Sequence, residues 1–319
     1  MDTFYAAYGL KLVSSFPLAG MRPAAPAESD GPPALALALR DPREPDFVWS
    51  GSTAAPEWRG RLGDGRELAI ERGSAGDLLF SYGGLARFRL DPDMRRLDCA
   101  PRQSGLDWQR ALIGKVIPSI SVMRGYEALH AAAVDSPEGV VAIMGASGAG
   151  KSTLALELMR RGWPLFADDQ LTLSDDAGAV SAHPGTPHMS LDMRMSAELD
   201  EQALGATVAV LAGERWLAAR ASTERPRPVR MLCVLERGPR LGLELSELPD
   251  SPLALAPYML GLSSEPERQR ARFELYADLL QSAALVRLTA GSERPPSELA
   301  DLLERASARS PGAIAGALA

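Results

Sequence analysis

Through the first hundred residues the hydrophobic positions come in short alternating sets rather than at helical spacing. Glu67-Leu68-Ala69-Ile70, Leu78-Leu79-Phe80-Ser81-Tyr82 and Ala86-Arg87-Phe88-Arg89-Leu90 each predict a strand, with Gly83-Gly84 as the tight turn between the last two. Proline, glycine and alanine are dense between Pro17 and Pro56, and helical periodicity is weak there. These residues predict a small β-rich N-terminal domain over 1–105. The period changes at Leu106–Val116, where Trp108, Leu112 and Ile113 fall on one side of an amphipathic helix. This helix leads into a second domain, 106–306.

In the second part Leu129–Val134 reads as a strand, Asp135-Ser136-Pro137-Glu138-Gly139 as a turn, and Val140-Val141-Ala142-Ile143-Met144 as a buried strand. So short a connection joins antiparallel neighbours, because a parallel crossover takes about a dozen residues or more. The expected fold class is therefore α/β with a mixed sheet. Leu154–Arg161 predicts a helix stopped by Gly162. Trp163–Ala167 and Gln170–Leu173 read as strands, and the turn Asp175-Asp176-Ala177-Gly178 returns the chain through Ala179–Ala182. Further strands are predicted at Val229–Leu235, Leu241–Leu245 and Leu285–Leu288. Helices are predicted at Leu253–Leu260, Glu267–Leu280 and Ser297–Arg305, with Pro252 and Pro296 suited to helix starts. The small residues from Ser307 predict a frayed tail, 307–319.

Between the buried strand and its helix lies Gly145-Ala146-Ser147-Gly148-Ala149-Gly150-Lys151-Ser152-Thr153, which fits the phosphate-loop pattern G-x-x-x-x-G-K-[ST] in its proper strand-to-helix setting. Glycines let successive backbone N–H groups curl around an anion, and the helix N-terminus adds partial positive charge. The expectation is ATP on residues 145–153, with Lys151 on the terminal phosphates and the Ser152 hydroxyl on Mg2+. Lysine usage sharpens this. Of 34 lysine and arginine residues only Lys11, Lys115 and Lys151 are lysines, and a planar guanidinium does not replace a compact ammonium in a tight phosphate loop. Downstream, Asp168-Asp169 follows an apolar strand directly. A strand ending in acid can supply a carboxylate to magnesium or to an attacking hydroxyl. By itself an Asp pair is equally a solvated turn.

The 319-residue chain carries a net charge of −7 and a sequence pI near 5.2, so it has no basic field to hold nucleic acid. Cys99 and Cys233 are neither clustered nor in metal spacing and are expected to be reduced thiols. The three histidines, His130, His183 and His188, do not make a histidine-rich metal site. No apolar run approaches the roughly 18 residues of a membrane span, and the opening Met1-Asp2-Thr3-Phe4 lacks the positive region of a secretory signal. A cytoplasmic, membrane-free ATP user is expected.

The motifs together resemble the catalytic domain of HPr kinase/phosphorylase, a family that phosphorylates a serine of a carrier protein with ATP. The matching pieces are His130, Gly145–Ser152, Ala155-Leu156-Glu157-Leu158, Arg160-Arg161-Gly162 and Ala167-Asp168-Asp169. His130 precedes Lys151 by 21 residues and Asp169 follows it by 18. The resemblance covers about residues 126–175. It implies a P-loop kinase domain with the mixed sheet shared with phosphoenolpyruvate carboxykinase. It implies Asp169 as the acid that takes the proton from the substrate hydroxyl and His130 as a residue lining the site. Read without the family, His130 is a strand histidine satisfied by backbone. Asp168 is the acid closer to a metal-shell or structural role. The family's metal-binding Glu, followed there by Arg-Gly, has its nearest counterpart in Leu191-Asp192-Met193-Arg194. Asp192 is thus either a magnesium ligand or a surface acid. The family often has Glu where this chain has Ala146, and the N-terminal part does not match the family's regulatory domain.

Stand-alone kinases with this core phosphorylate serine on ribosomally made peptides or as the free amino acid, and the chain looks more like that group. Three readings stay open: a serine kinase acting on a peptide or small protein; a small-molecule or carboxykinase-like enzyme; and a non-catalytic nucleotide sensor. The sensor alone would need no base at Asp169. Homo-oligomerisation stays open as well.

Overall fold

The computed structural model describes residues 2–25, 34–43, 56–61, 65–176, 179–193, 201–239, 241–260 and 265–309. The chain divides into two compact units, Met1–Arg124 and Gly125–Ala319.

The first unit holds an eight-stranded sheet built from β1 (Thr3–Ala7), β2 (Leu10–Ser14), β3 (Leu35–Leu39), β4 (Trp58–Arg61), β5 (Glu67–Arg72), β6 (Leu78–Tyr82), β7 (Ala86–Leu90) and β8 (Arg96–Pro101), in the order β1-β2-β3-β8-β7-β6-β5-β4. β5 to β7 lie where alternation predicts them. β1 and β2 form a local antiparallel hairpin and β8 pairs antiparallel with β7, while long-range parallel pairing with β2 and β8 sets β3. The helical segment after β8 belongs to this unit by its contacts, so the division falls at 124/125 where the sequence suggests 105/106. It runs further than expected, as α1 (Asp107–Ala111), a π-turn (Leu112–Val116) and α2 (Ile117–Met123). Pro118 at the start of α2 offers no N–H to the preceding turn, and the Ile117 N–H reaches back to the Leu112 carbonyl instead.

The second unit is mixed α/β. Its strands are β9 (Glu127–Leu129), β10 (Ala132–Ser136), β11 (Gly139–Met144), β12 (Leu165–Ala167), β13 (Leu171–Asp176), β14 (Ala179–His183), β15 (His188–Asp192), β16 (Gly205–Leu211), β17 (Glu214–Ala219), β18 (Arg227–Gly238), β19 (Glu244–Glu247) and β20 (Ala284–Gly291). Its helices are α3 (Lys151–Arg160), α4 (Glu201–Leu204), α5 (Pro266–Ser282) and α6 (Pro296–Ser307), with a 3-10 turn at Pro252–Tyr258 where the sequence suggests a longer helix. The main sheet runs β12-β10-β11-β18-β14-β13-β9, and β20 also pairs with β18. β10 and β11 form the expected antiparallel hairpin, while β11 and β18 are parallel, so the sheet is mixed. The strand expected over 129–134 is interrupted at His130-Ala131, because β9 pairs with β13 and β10 pairs with β11 and β12. A separate antiparallel sheet, β15-β17-β16, has no counterpart in the sequence reading. The predicted turn residues Ala177 and Gly178, Arg194 and the tail from 310 lie outside the described residues.

Both faces of β11 are covered, which is why its sequence is a continuous apolar run rather than an alternating one. Val141 and Ile143 face Leu154 and Leu158 of α3 and Leu303 of α6. Val140, Ala142 and Met144 face Tyr276 and Leu279 of α5. The buried Glu127 takes Arg268 at 2.7 Å and Arg272 at 2.8 Å, tying α5 to β9. Cys99 and Cys233 are free thiols in the two cores, and burial pushes the Cys233 thiol up to about 12. Among the described residues no helix is long and apolar enough to cross a membrane.

Leu158 is fully buried where α3 meets the sheet. Leu158→Ala is expected to cost about 2–5 kcal/mol in urea unfolding. Phe273→Ala, on the exposed face of α5, should change the same quantity by less than about 0.5 kcal/mol. Equal effects would show that the α3 face is not the core.

Candidate functional site

β11 delivers the chain, wholly buried, to Gly145. A side chain is impossible there: φ is +152°, and a Cβ would lie 2.6 Å from the Leu235 carbonyl oxygen of β18. The loop then turns on itself, the Ala149 N–H donating to the Ala146 carbonyl at 3.1 Å. Ala146, Ser147 and Gly148 form its exposed crest, and Ala149 and Gly150 are half-buried. Gly150 has φ +99° and its carbonyl accepts the first helical bond, from Leu154 N–H at 2.9 Å. No side chain caps this end of α3. The N–H groups of Lys151, Ser152 and Thr153 therefore open the helix without intrahelical acceptors, and the site carries the positive end of the helix dipole.

Lys151 is buried and folds back over the loop, its Nζ donating to Gly145 O at 3.1 Å and Ala146 O at 3.3 Å. An ammonium has three donors, so one remains. Burial lowers the Lys151 pKa, and the charges of Asp169 and Asp168 offset this only in part. Among the described residues Lys151 forms no ion pair.

The acid pair stands at the end of β12, beside the loop. Ser152 Oγ donates to Asp168 Oδ1 at 3.0 Å, and the Ser190 N–H of β15 donates to Asp168 Oδ2 at 3.0 Å. Asp169 is in the left-handed region at φ +69°, an uncommon and strained place for a residue with a Cβ. Two bonds hold that turn: Gln170 N–H to Asp168 O at 2.9 Å, and His130 Nδ1 to Asp169 O at 2.9 Å. A carbonyl only accepts, so Nδ1 of His130 carries a proton. His130 is itself anchored through its N–H to Tyr258 O at 2.7 Å. The break between β9 and β10 places it there.

Lys151, Ser152, Asp168, Asp169 and His130 are thus brought together around one end of β11. Asp192 ends β15, exposed, opposite Glu214. The Ser190 and Tyr258 backbone groups carry no sequence signal, since only tertiary register puts them here. A cavity of about 650 Å³, lined by Asp135, Trp163, Thr223 and Arg225 among others, lies at the opposite end of β11 and is separate from these residues.

The arrangement fits a nucleotide polyphosphate with magnesium. At Gly145 a Cβ would clash with the Leu235 carbonyl of β18, and the buried Lys151, which makes no ion pair among the described residues, folds back over the loop. Among the described residues no group of three or more His, Cys, Asp or Glu could hold a metal. Magnesium is commonly held by one or two carboxylates together with substrate phosphates, and Ser152 with Asp168 supplies oxygen ligands of that kind.

Because the Asp169 turn is strained, Asp169→Gly should be at least as stable as the parent, by up to about 1 kcal/mol in urea unfolding. Asp169→Val should be less stable by about 1–2 kcal/mol. A Val variant as stable as the Gly variant would mean the turn is relaxed.

No protein-family model and no curated protein matches the chain. Among solved structures, the HPr(Ser) kinase/phosphatase from Coxiella burnetii is similar to it with a TM-score of 0.30 and 13% identity, over 56% of this chain and 94% of that one.

Proposed function

We propose that this protein is an ATP- and magnesium-dependent kinase that phosphorylates a serine hydroxyl of a peptide or small protein. The observation that carries the reading is the meeting of a buried, unpaired lysine in a glycine loop with a serine–aspartate pair and a second, strained aspartate. Lys151 and the first-turn N–H groups of α3 would hold the phosphates, and Ser152 with Asp168 the magnesium. Bound ATP with magnesium supplies the phosphoryl group. Asp169 takes the proton from the acceptor hydroxyl, for which its place after Asp168 gives reach. His130 is a positioning residue: its Nδ1–H fixes the Asp169 backbone and so aims the carboxylate.

Serine as acceptor rests on the resemblance of residues 130–169 to HPr kinase/phosphorylase. A peptide or protein, rather than a nucleic acid, accords with the net charge of −7.

Lys151→Ala is expected to weaken MgATP binding by about tenfold or more in calorimetry. Asp169→Asn should bind MgATP as the parent does and lose about 10²–10⁴ in phosphoryl transfer. Mass spectrometry after incubation with MgATP and either free L-serine or peptides encoded beside this gene tests the acceptor. Phosphopeptide is expected. Turnover of free serine alone would make this a small-molecule kinase, and ATP binding without transfer to any acceptor would make it a sensor.

A further inference from the structure

The sheet places a second cation on the glycine loop, from a strand far away in sequence. β18 runs parallel to β11 with Met144 opposite Val234, so Leu235 lies against Gly145, and β18 continues past the end of β11 to Gly238. Met231, Cys233 and Leu235 point to the α3 side of the sheet. Arg237 has the same parity, one pleat beyond the core. A side chain there reaches the start of α3: Cδ lies 3.8 Å, and Nη1 3.9 Å, from where a Cβ on Gly150 would be.

Its guanidinium is fixed from behind. Nη2 contacts three carbonyl oxygens in the turn after β20, donating to Gly291 O at 3.0 Å, Ser292 O at 2.9 Å and Arg294 O at 2.6 Å. Carbonyls orient a cation without neutralising it. Among the described residues Arg237 makes no ion pair, and its Nε and Nη1 make no hydrogen bond. The neighbouring Glu236, of opposite parity, is taken by Arg287 at 3.2 Å. In an acidic chain, two cations that make no ion pair among the described residues, Lys151 and Arg237, converge on one loop rich in backbone N–H groups. Keeping both partly desolvated is unfavourable unless an anion joins them.

We propose that Arg237 is a second cationic arm of the polyphosphate site, meeting the nucleotide phosphates from the β18 side while Lys151 meets them from within the loop. The carbonyls of Gly291, Ser292 and Arg294 are its preorganising frame. The inference rests on the reading of residues 145–153 as a nucleotide site. Arg237 gives no sequence signal of this role, because nothing local says that β18 lies beside β11.

The test is calorimetry of MgATP binding to the full chain, with the thermal midpoint of each unliganded protein measured alongside. Arg237→Gln is expected to bind MgATP about 10-fold to 100-fold more weakly, the range for a lost charged hydrogen bond, with the unliganded midpoint unchanged. Arg237→Lys should fall between, since it keeps the charge and loses the pinned fork. The salt dependence of MgATP affinity should be shallower in Arg237→Gln than in the parent. Parent-like affinity in Arg237→Gln, with Lys151→Ala impaired, would overturn the role of Arg237 and leave the loop reading intact. No MgATP binding by the parent would overturn both. Equal losses in both Arg237 variants together with lowered midpoints would make Arg237 a structural tie and overturn the proposal. Should Arg237→Gln not fold, parent-like affinity in Arg237→Lys overturns it as well.

Discussion

The approach of β18 to the end of β11 is the constraint on which the site depends. Parallel pairing puts the Leu235 carbonyl oxygen 2.6 Å from where a side chain at position 145 would begin. Only glycine can follow Met144, and it must leave the sheet at φ +152°. The chain then curls tightly enough for Lys151 to reach back to the carbonyls of Gly145 and Ala146. One backbone contact between strands about ninety residues apart thereby shapes the loop, buries the lysine and aligns the end of β18 with the start of α3.

The mixed order of the sheet does the rest. Were β10 parallel to β11, the residues before it would lie at the far end of the sheet. The antiparallel hairpin instead starts β10 at the loop end, and the break at His130-Ala131 turns the imidazole toward Asp169. β12, antiparallel to β10, ends in the acid pair at the same edge. The sheet joins a histidine before the loop strand and acids after the loop helix with no long connection.

Much of this was legible in the sequence, for identifiable reasons. The loop, its strand and its helix are contiguous, so local pattern suffices. The hairpin followed from a turn too short for a crossover, and the β5–β7 meander from plain alternation. Elements defined by pairing at a distance were not legible: β3 is placed between β2 and β8 by parallel pairing, and β15 to β17 form a sheet of their own. The same distinction holds within the site. Lys151, Ser152, Asp168 and Asp169 stand out by type and spacing, whereas the Ser190 N–H and the Tyr258 carbonyl are backbone groups that any sequence carries. Asp192 is an acid with suggestive neighbours that ends β15, exposed.

How the charges are partnered explains why such a site stays open to a ligand. Lys151 bonds carbonyls rather than the nearby carboxylates, and Asp168 bonds a hydroxyl and an N–H rather than the nearby cation. Lys151 is oriented by neutral dipoles and makes no ion pair among the described residues. Had Lys151 paired directly with Asp168, the pair would be worth little in net stability and neither group would be available. Neutral partners keep positive and negative groups a short distance apart in one half-buried place. That separation suits a ligand with both signs, a polyanion bound together with a divalent cation. It also accounts for the lowered Lys151 pKa: burial dominates there because the carboxylates act on it only through space.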